Sequence, residues 1–197
     1  MSPATLLIIL LSLSSVAYYV GRRKAFAVAG GAAKIKDLHS RPTYYGTLTA
    51  IWCGIPAVLL FGFWLAFESS IITQLVIADL PDEIRNLPAA RLNLVINDIR
   101  NLVSGNIVSG EIDSTMQAAA DHYRSLKSTS NAALAVVAIA VAMLGLVAVR
   151  ARIKPVMRAR NIVEQVIKYI LIACSTIAIF TTIGIVLSVL YEAILFF

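Results

Sequence analysis

Residues 131–160 read NAALAVVAIAVAMLGLVAVRARIKPVMRAR. The first nineteen carry no charge, and a helix of that length, rising about 1.5 Å per residue, can cross a hydrocarbon core about 30 Å thick. The last eleven contain five basic residues and no acidic residue. The stretch therefore predicts a transmembrane helix that ends at a positively charged membrane face.

Three further apolar stretches have the length of a membrane span. They cover approximately residues 3–20, 46–67 and 166–191, and Lys168 is the one charged residue inside them. Because 59% of the residues are hydrophobic and the mean hydropathy is +0.82, little sequence remains for a soluble core. We predict an all-α, polytopic membrane protein with four transmembrane helices.

The basic residues form two groups, each joining two spans. Of the seventeen, twelve belong to these groups: Arg22, Arg23, Lys24, Lys34, Lys36 and Arg41, then Arg150, Arg152, Lys154, Arg158, Arg160 and Lys168. Loops separated by two crossings face the same side, and short loops rich in Lys and Arg face the cytoplasm. The pattern predicts a membrane protein with both termini on the side opposite the cytoplasm. Span one is expected to be an uncleaved anchor, because its basic residues follow the apolar run.

This topology divides the chain into three parts. Residues 1–67 form transmembrane helices 1 and 2 with a cytoplasmic basic loop at 21–45. Residues 68–130 form a periplasmic helical cap, which holds eight acidic and five basic residues. Residues 131–197 form transmembrane helices 3 and 4 with a cytoplasmic basic linker at 150–165.

The cap segment shows two helical patterns. Prolines at 81 and 88 mark helix starts, and Gly105 marks a C-cap after an apolar face with spacings of three and four: Leu92, Val95, Ile96, Ile99, Leu102 and Val103. A second pattern runs from Ile112 to Leu126 and ends at the polar residues 128–130. Three arrangements are expected for these apolar faces: they pack on each other, they lie on the membrane surface, or they bind a partner. The candidate partner-contact residues are Leu92, Ile96, Ile99 and Arg100.

No pattern of catalytic, cofactor-binding or metal-binding residues is present in the sequence. His39 and His122 fall on opposite sides of the membrane, and Cys53 and Cys174 lie in different spans. Phosphate-loop and nucleophile-elbow motifs are absent. We predict a protein that is not an enzyme and has no cofactor or metal. The hydroxyls and glycines of the spans are predicted to be helix-packing contacts.

The net charge of +6 comes from short loops beside the membrane rather than from a folded basic domain, which favours anionic lipid over nucleic acid as the counter-charge. The candidate lipid-headgroup contacts are Arg22, Arg23, Lys24, Arg150, Arg152, Lys154, Arg158 and Arg160.

Four segments carry a resemblance to a known family. They are Leu38–Gly46 (LHSRPTYYG), Ile99–Gly105 (IRNLVSG), Arg158–Glu164 (RARNIVE) and Ile179–Ser188 (IFTTIGIVLS). In these segments the chain resembles the amino-terminal extension of the phosphate ABC-transporter permease subunit, of the longer type found in many proteobacteria.

The resemblance implies a role in high-affinity phosphate import and a location in the bacterial inner membrane, with the cap and both termini periplasmic. Its expected partners are the remaining permease core or a second permease subunit, the ABC ATPase subunit and the periplasmic phosphate-binding protein. In the family, the core with the translocation pathway should follow Phe197, so the chain is expected to be a structural or subunit-docking module without a complete pathway. The alternatives are a membrane sensor and a small stand-alone membrane scaffold.

Overall fold

The computed structural model describes residues 2–31, 35, 38–106 and 113–196, and within these ranges the chain forms helices and no strand. The helices in chain order are α1 (Pro3–Ala29), α2 (Pro42–Ala78), α3 (Asp82–Arg85), α4 (Ala89–Ser104), α5 (Ser114–Arg152) and α6 (Ala159–Phe196). The all-α fold is confirmed. Lys34 and Lys36 of the first basic loop, and Ile112 at the predicted start of the second cap helix, lie outside the described residues.

Four helices, α1, α2, α5 and α6, are long and apolar enough to cross a membrane. This finding confirms the prediction of a multi-pass membrane protein. All four helices extend beyond the apolar stretches. Helix α1 runs on to Ala29 and carries the first three basic residues, whereas α2 continues from its span into the cap as far as Ala78.

Helix α5 differs from the sequence-based expectation, because it runs without interruption from the cap through the membrane span. The polar residues Ser128–Ser130 were expected to end a separate cap helix, but each costs only a few tenths of a kcal/mol in a helix interior. The hydroxyl of Ser130 also accepts a hydrogen bond from Trp64 Nε1 at 3.0 Å, which ties this turn of α5 to α2.

The chain divides into two compact units, and the first combines Met1–Val16 with Ile51–Val147. Its α2 and α5 helices approach each other closely where Gly145 faces the backbone of Trp52. A glycine allows this approach because it has no Cβ to hold two helix backbones apart.

The cap of the first unit has a small hydrophobic core. Helix α4 and the first half of α5 pack against the end of α2, with Ile72, Val76, Ile99, Ala120 and Tyr123 among the buried residues. The cap helices therefore pack on each other, which was one of the arrangements expected from their apolar faces.

The ends of the cap helices follow the predicted signals. Pro81 precedes α3, Pro88 precedes α4, and Gly105 ends α4 with a left-handed φ of 74°. Asp113 precedes α5, where its carboxylate accepts a hydrogen bond from the Ser114 N–H at 2.6 Å. This bond, with those from the Thr115 and Ser114 hydroxyls, lowers the pKa of the Asp113 carboxyl.

The second unit combines Ala17–Ala50 with Ala148–Phe197. Small residues again allow close helix contact: Gly46 on α2 lies against the Tyr18 backbone of α1, and Gly21 lies against Thr49. Leu48, Thr49 and Tyr45 are almost completely buried here. The same unit contains the linker 153–158 between α5 and α6.

Candidate interaction surfaces

Helix α6 makes few contacts with the rest of the described chain. Ala159 and Val163 are its buried residues, and every residue from Ile167 to Phe196 is exposed. A helix that is apolar on all sides belongs in a membrane or a protein core. This length of α6 is therefore a large surface for lipid or for another membrane helix.

Three hydroxyls along α6 are satisfied by the helix itself. The hydroxyls of Thr176, Thr181 and Thr182 each donate to a backbone carbonyl four residues earlier, at 2.8 to 2.9 Å. A Cβ at Gly184 would meet nothing within 4 Å. The surface of α6 therefore offers apolar contact and close approach rather than a polar site.

The four candidate partner-contact residues of α4 lie in or beside the cap core. Ile99 is 2% exposed, whereas Leu92 and Ile96 are half-buried. Leu94 is instead 62% exposed and lies among the polar residues of α4. Sequence periodicity overlooked Leu94 because it falls outside the repeating apolar face, and a single apolar residue on a polar face was the available signal.

Arg100 is the fourth of these residues, and it ties α4 to α2. Its Nη2 atom donates to Ser69 Oγ at 3.1 Å and to Thr73 Oγ1 at 2.6 Å. Its Nε atom is buried without a hydrogen-bond partner in the described part of the chain, beside a cavity of about 10 Å³.

The α5–α6 linker is held by the side chain of Tyr45. This residue is fully buried, and its hydroxyl donates to the Met157 carbonyl at 2.9 Å, with the carbonyls of Lys154 and Pro155 at 3.4 and 3.3 Å. The His39 N–H donates a further hydrogen bond to the Pro155 carbonyl of the linker, and the Arg160 N–H at the start of α6 donates to Ser40 Oγ. The segment before α2 therefore fixes the path of the linker.

We expect Tyr45→Phe to free the linker without unfolding the helices, because the ring still packs while the carbonyls lose their donor. The expected loss is about 1–2 kcal/mol. Limited trypsin digestion in detergent checks this: cleavage after Arg158 should be faster than in the parent, and Tyr44→Phe should leave the rate unchanged. An unchanged rate in Tyr45→Phe would contradict this role.

The eight candidate lipid-contact residues are exposed, except for Lys24, which is half-buried. Arg22 lies over the Phe26 ring at 5.7 Å and Arg23 over the Tyr19 ring at 4.7 Å. Arg160 pairs with Glu164 at 2.6 Å.

A histidine and an aspartate in the cap are paired, which the sequence did not indicate. His122 Nδ1 lies 3.2 Å from Asp79 Oδ2, beside a cavity of about 380 Å³ that is also lined by Val76, Leu80 and Thr115. The described residues contain no group of three or more His, Cys, Asp or Glu side chains able to hold a metal.

Comparison with known proteins identifies a family to which this chain is similar. No match was found among curated proteins, and none among solved structures. A family profile described as phosphate ATP-binding cassette transporter matches residues 7–181, which reach from α1 into α6. This match confirms the resemblance found in the sequence and covers most of the chain. The chain belongs to the phosphate ATP-binding cassette transporter family.

Proposed function

We propose that this chain is the amino-terminal membrane module of the permease subunit of a high-affinity phosphate importer. It supplies a docking surface and has no complete translocation pathway of its own. The observation that carries the proposal is the uncovered α6 in a chain of the phosphate transporter family.

The burial of the four membrane helices supports this role for α6. In their most apolar windows, α1, α2 and α5 have 22%, 17% and 33% of their residues buried, and α6 has 0%. Membrane helices associate through close packing, for which small residues such as Gly184 are suited. The proposed neighbour of α6 is the permease core or a second permease subunit.

The orientation follows from the charges. We place the basic loop at 21–45 and the linker at 150–165 in the cytoplasm, where they contact anionic lipids on the side of the ATPase subunit. The cap then lies in the periplasm of a bacterial inner membrane, and both ends of the chain lie on that side. There the cap meets the phosphate-binding protein, through Leu94 on the exposed side of α4.

A photo-cross-linking residue at position 180 tests the proposal in native membranes. Phe180 is 69% exposed on α6, and Leu144, also 69% exposed on α5, is the matched control position. We expect position 180 to give a protein adduct that mass spectrometry identifies as the phosphate permease, with a clearly smaller yield at position 144. Lipid adducts alone at position 180, or equal protein yields at both positions, would overturn α6 as the docking helix.

A membrane sensor is the alternative favoured by one observation, the cavity of about 380 Å³ beside Asp79 and His122. A sensor or a stand-alone scaffold predicts that affinity isolation of the tagged chain recovers no permease or ATPase subunit. The proposed module predicts that both subunits are recovered.

A further inference from the structure

An apolar groove lies between α2 and α5 within the first unit. Its volume is about 320 Å³, and its walls are almost entirely apolar. The side chains that line it are Leu60, Phe63 and Trp64 of α2 and Ala133, Leu134 and Val137 of α5. The groove lies at the end of the two spans nearest the cap, because α2 and α5 continue from it into the cap core.

A carboxylate lies next to one end of the groove. Ser130 lines this end, where its hydroxyl accepts the hydrogen bond from Trp64 Nε1 and lies 3.3 Å from Glu68 Oε1. Tryptophan is enriched where membrane helices reach the lipid headgroups, with the indole N–H toward the polar side. The groove therefore extends from the headgroup level, beside a carboxylate, toward the hydrocarbon core.

The shape and chemistry of the groove decide its occupant. Water is disfavoured, because the apolar walls offer it too few hydrogen bonds. A second helix is also disfavoured, because a helix with its side chains is about 10–12 Å across. The volume of this groove is at the small end of the roughly 300–1,000 Å³ range of ligand sites. A flexible acyl chain fits such a slot, and the Glu68 carboxylate favours a headgroup with a positive charge at its tip.

We propose that the groove binds one acyl chain of a phospholipid with a primary ammonium headgroup, such as phosphatidylethanolamine, with the ammonium beside Glu68. This lipid site differs in charge from the basic loops, which attract anionic lipid. The proposal of this lipid site depends on the position of α2 and α5 in the membrane, and it is independent of the proposed transport role.

Tryptophan fluorescence tests the site in the full chain. With Trp52→Phe, Trp64 becomes the one tryptophan, and it lines the groove. The protein is reconstituted in phosphatidylcholine vesicles with a small fraction of phosphatidylethanolamine or phosphatidylglycerol whose acyl chains carry bromine, a quencher of tryptophan. We expect the apparent affinity from quenching to be about fivefold higher for the ethanolamine lipid, the effect of one charge at a membrane surface.

Two neighbouring valines on α5 provide a matched pair. Val137 lines the groove, and Val136 is 69% exposed and does not line it. Val137→Phe should fill the groove and abolish the preference for the ethanolamine lipid over the glycerol lipid. Val136→Phe should leave this preference unchanged. Ala133→Leu fills the same wall if Val137→Phe does not fold. Glu68→Gln should keep quenching by both lipids and remove the preference for the ammonium headgroup.

Equal quenching by the two brominated lipids in the parent protein would overturn the proposal, as would an unchanged preference after the groove is filled. Absence of quenching by either lipid would show that no acyl chain reaches Trp64 in the groove, which also overturns the proposal.

Discussion

Replacing Gly145 with leucine is expected to separate α2 from α5 and to destabilise the first unit strongly. A Cβ at this position would overlap the carbonyl oxygen of Trp52 and press on its carbonyl carbon. Both atoms belong to a helix backbone, so no side-chain rotation relieves the overlap. Overpacking costs about 1–3 kcal/mol where side chains yield, and the cost here should reach or exceed the upper end of that range.

Thermal unfolding in detergent measures this effect. A loss of about 3 kcal/mol lowers the apparent Tm of a protein of this size by roughly 6–12 °C. Gly62→Leu is the matched control, because Gly62 lies on α2 and an added Cβ there meets nothing within 4 Å. Equal Tm values for the Gly145→Leu protein and the parent would show that α2 and α5 do not pack through this contact.

These glycines show the limit of sequence reasoning about helix packing. Gly62, Gly145 and Gly184 all occur in apolar spans and were predicted to be packing contacts, yet Gly145 is in contact while the other two face open space in the described chain. Composition identifies a residue that permits close approach, but the neighbour depends on how the helices are arranged. An open glycine on α6 remains available to a partner helix.

The secondary structure was more accessible because its signals are local. Each signal acts within a few residues of the helix boundary that it sets. The signals are the ends of the uncharged apolar stretches, the prolines at 81 and 88, and Gly105 with its left-handed backbone. The role of Tyr45 was not accessible in this way, because its hydroxyl meets a carbonyl 112 positions later in the chain. The exposure of α6 could not be predicted from the sequence either. An apolar sequence indicates that a helix is shielded from water, but it does not indicate whether lipid or protein shields it.

The continuity of α2 and α5 connects the cap directly to the membrane spans. Both helices pass from the membrane span into the cap without a loop, and Trp64, Ser130 and Glu68 join them at the point of passage. Arg100 adds a connection from α4 to α2 through Ser69 and Thr73. A protein that docks on the cap is thereby coupled to the membrane helices through packed elements rather than through a flexible linker.

Variants of Ile99 and Leu94, two aliphatic residues of α4, distinguish an effect on the folding of the cap from an effect on docking. Ile99→Asp places a carboxylate in the core formed with Ile72, Val76 and Tyr123, where an unpaired charge is strongly disfavoured. We expect a loss of at least about 4 kcal/mol in cap stability. Amide hydrogen exchange should then show loss of protection along α4, while the membrane part of α5 stays protected. Retained protection in α4 would contradict the position of Ile99 in the core.

Leu94→Asp is the matched variant, because the same change on the exposed side of α4 should alter stability by no more than about 0.5 kcal/mol. If the cap docks the phosphate-binding protein through this side, Leu94→Asp weakens capture of that protein by the reconstituted chain and leaves hydrogen exchange unchanged. A combined replacement that includes Ile99 cannot make this distinction, since it disrupts the cap and the surface together. Unchanged capture by a folded Leu94→Asp protein would remove Leu94 from the docking surface and leave the cap with a structural role.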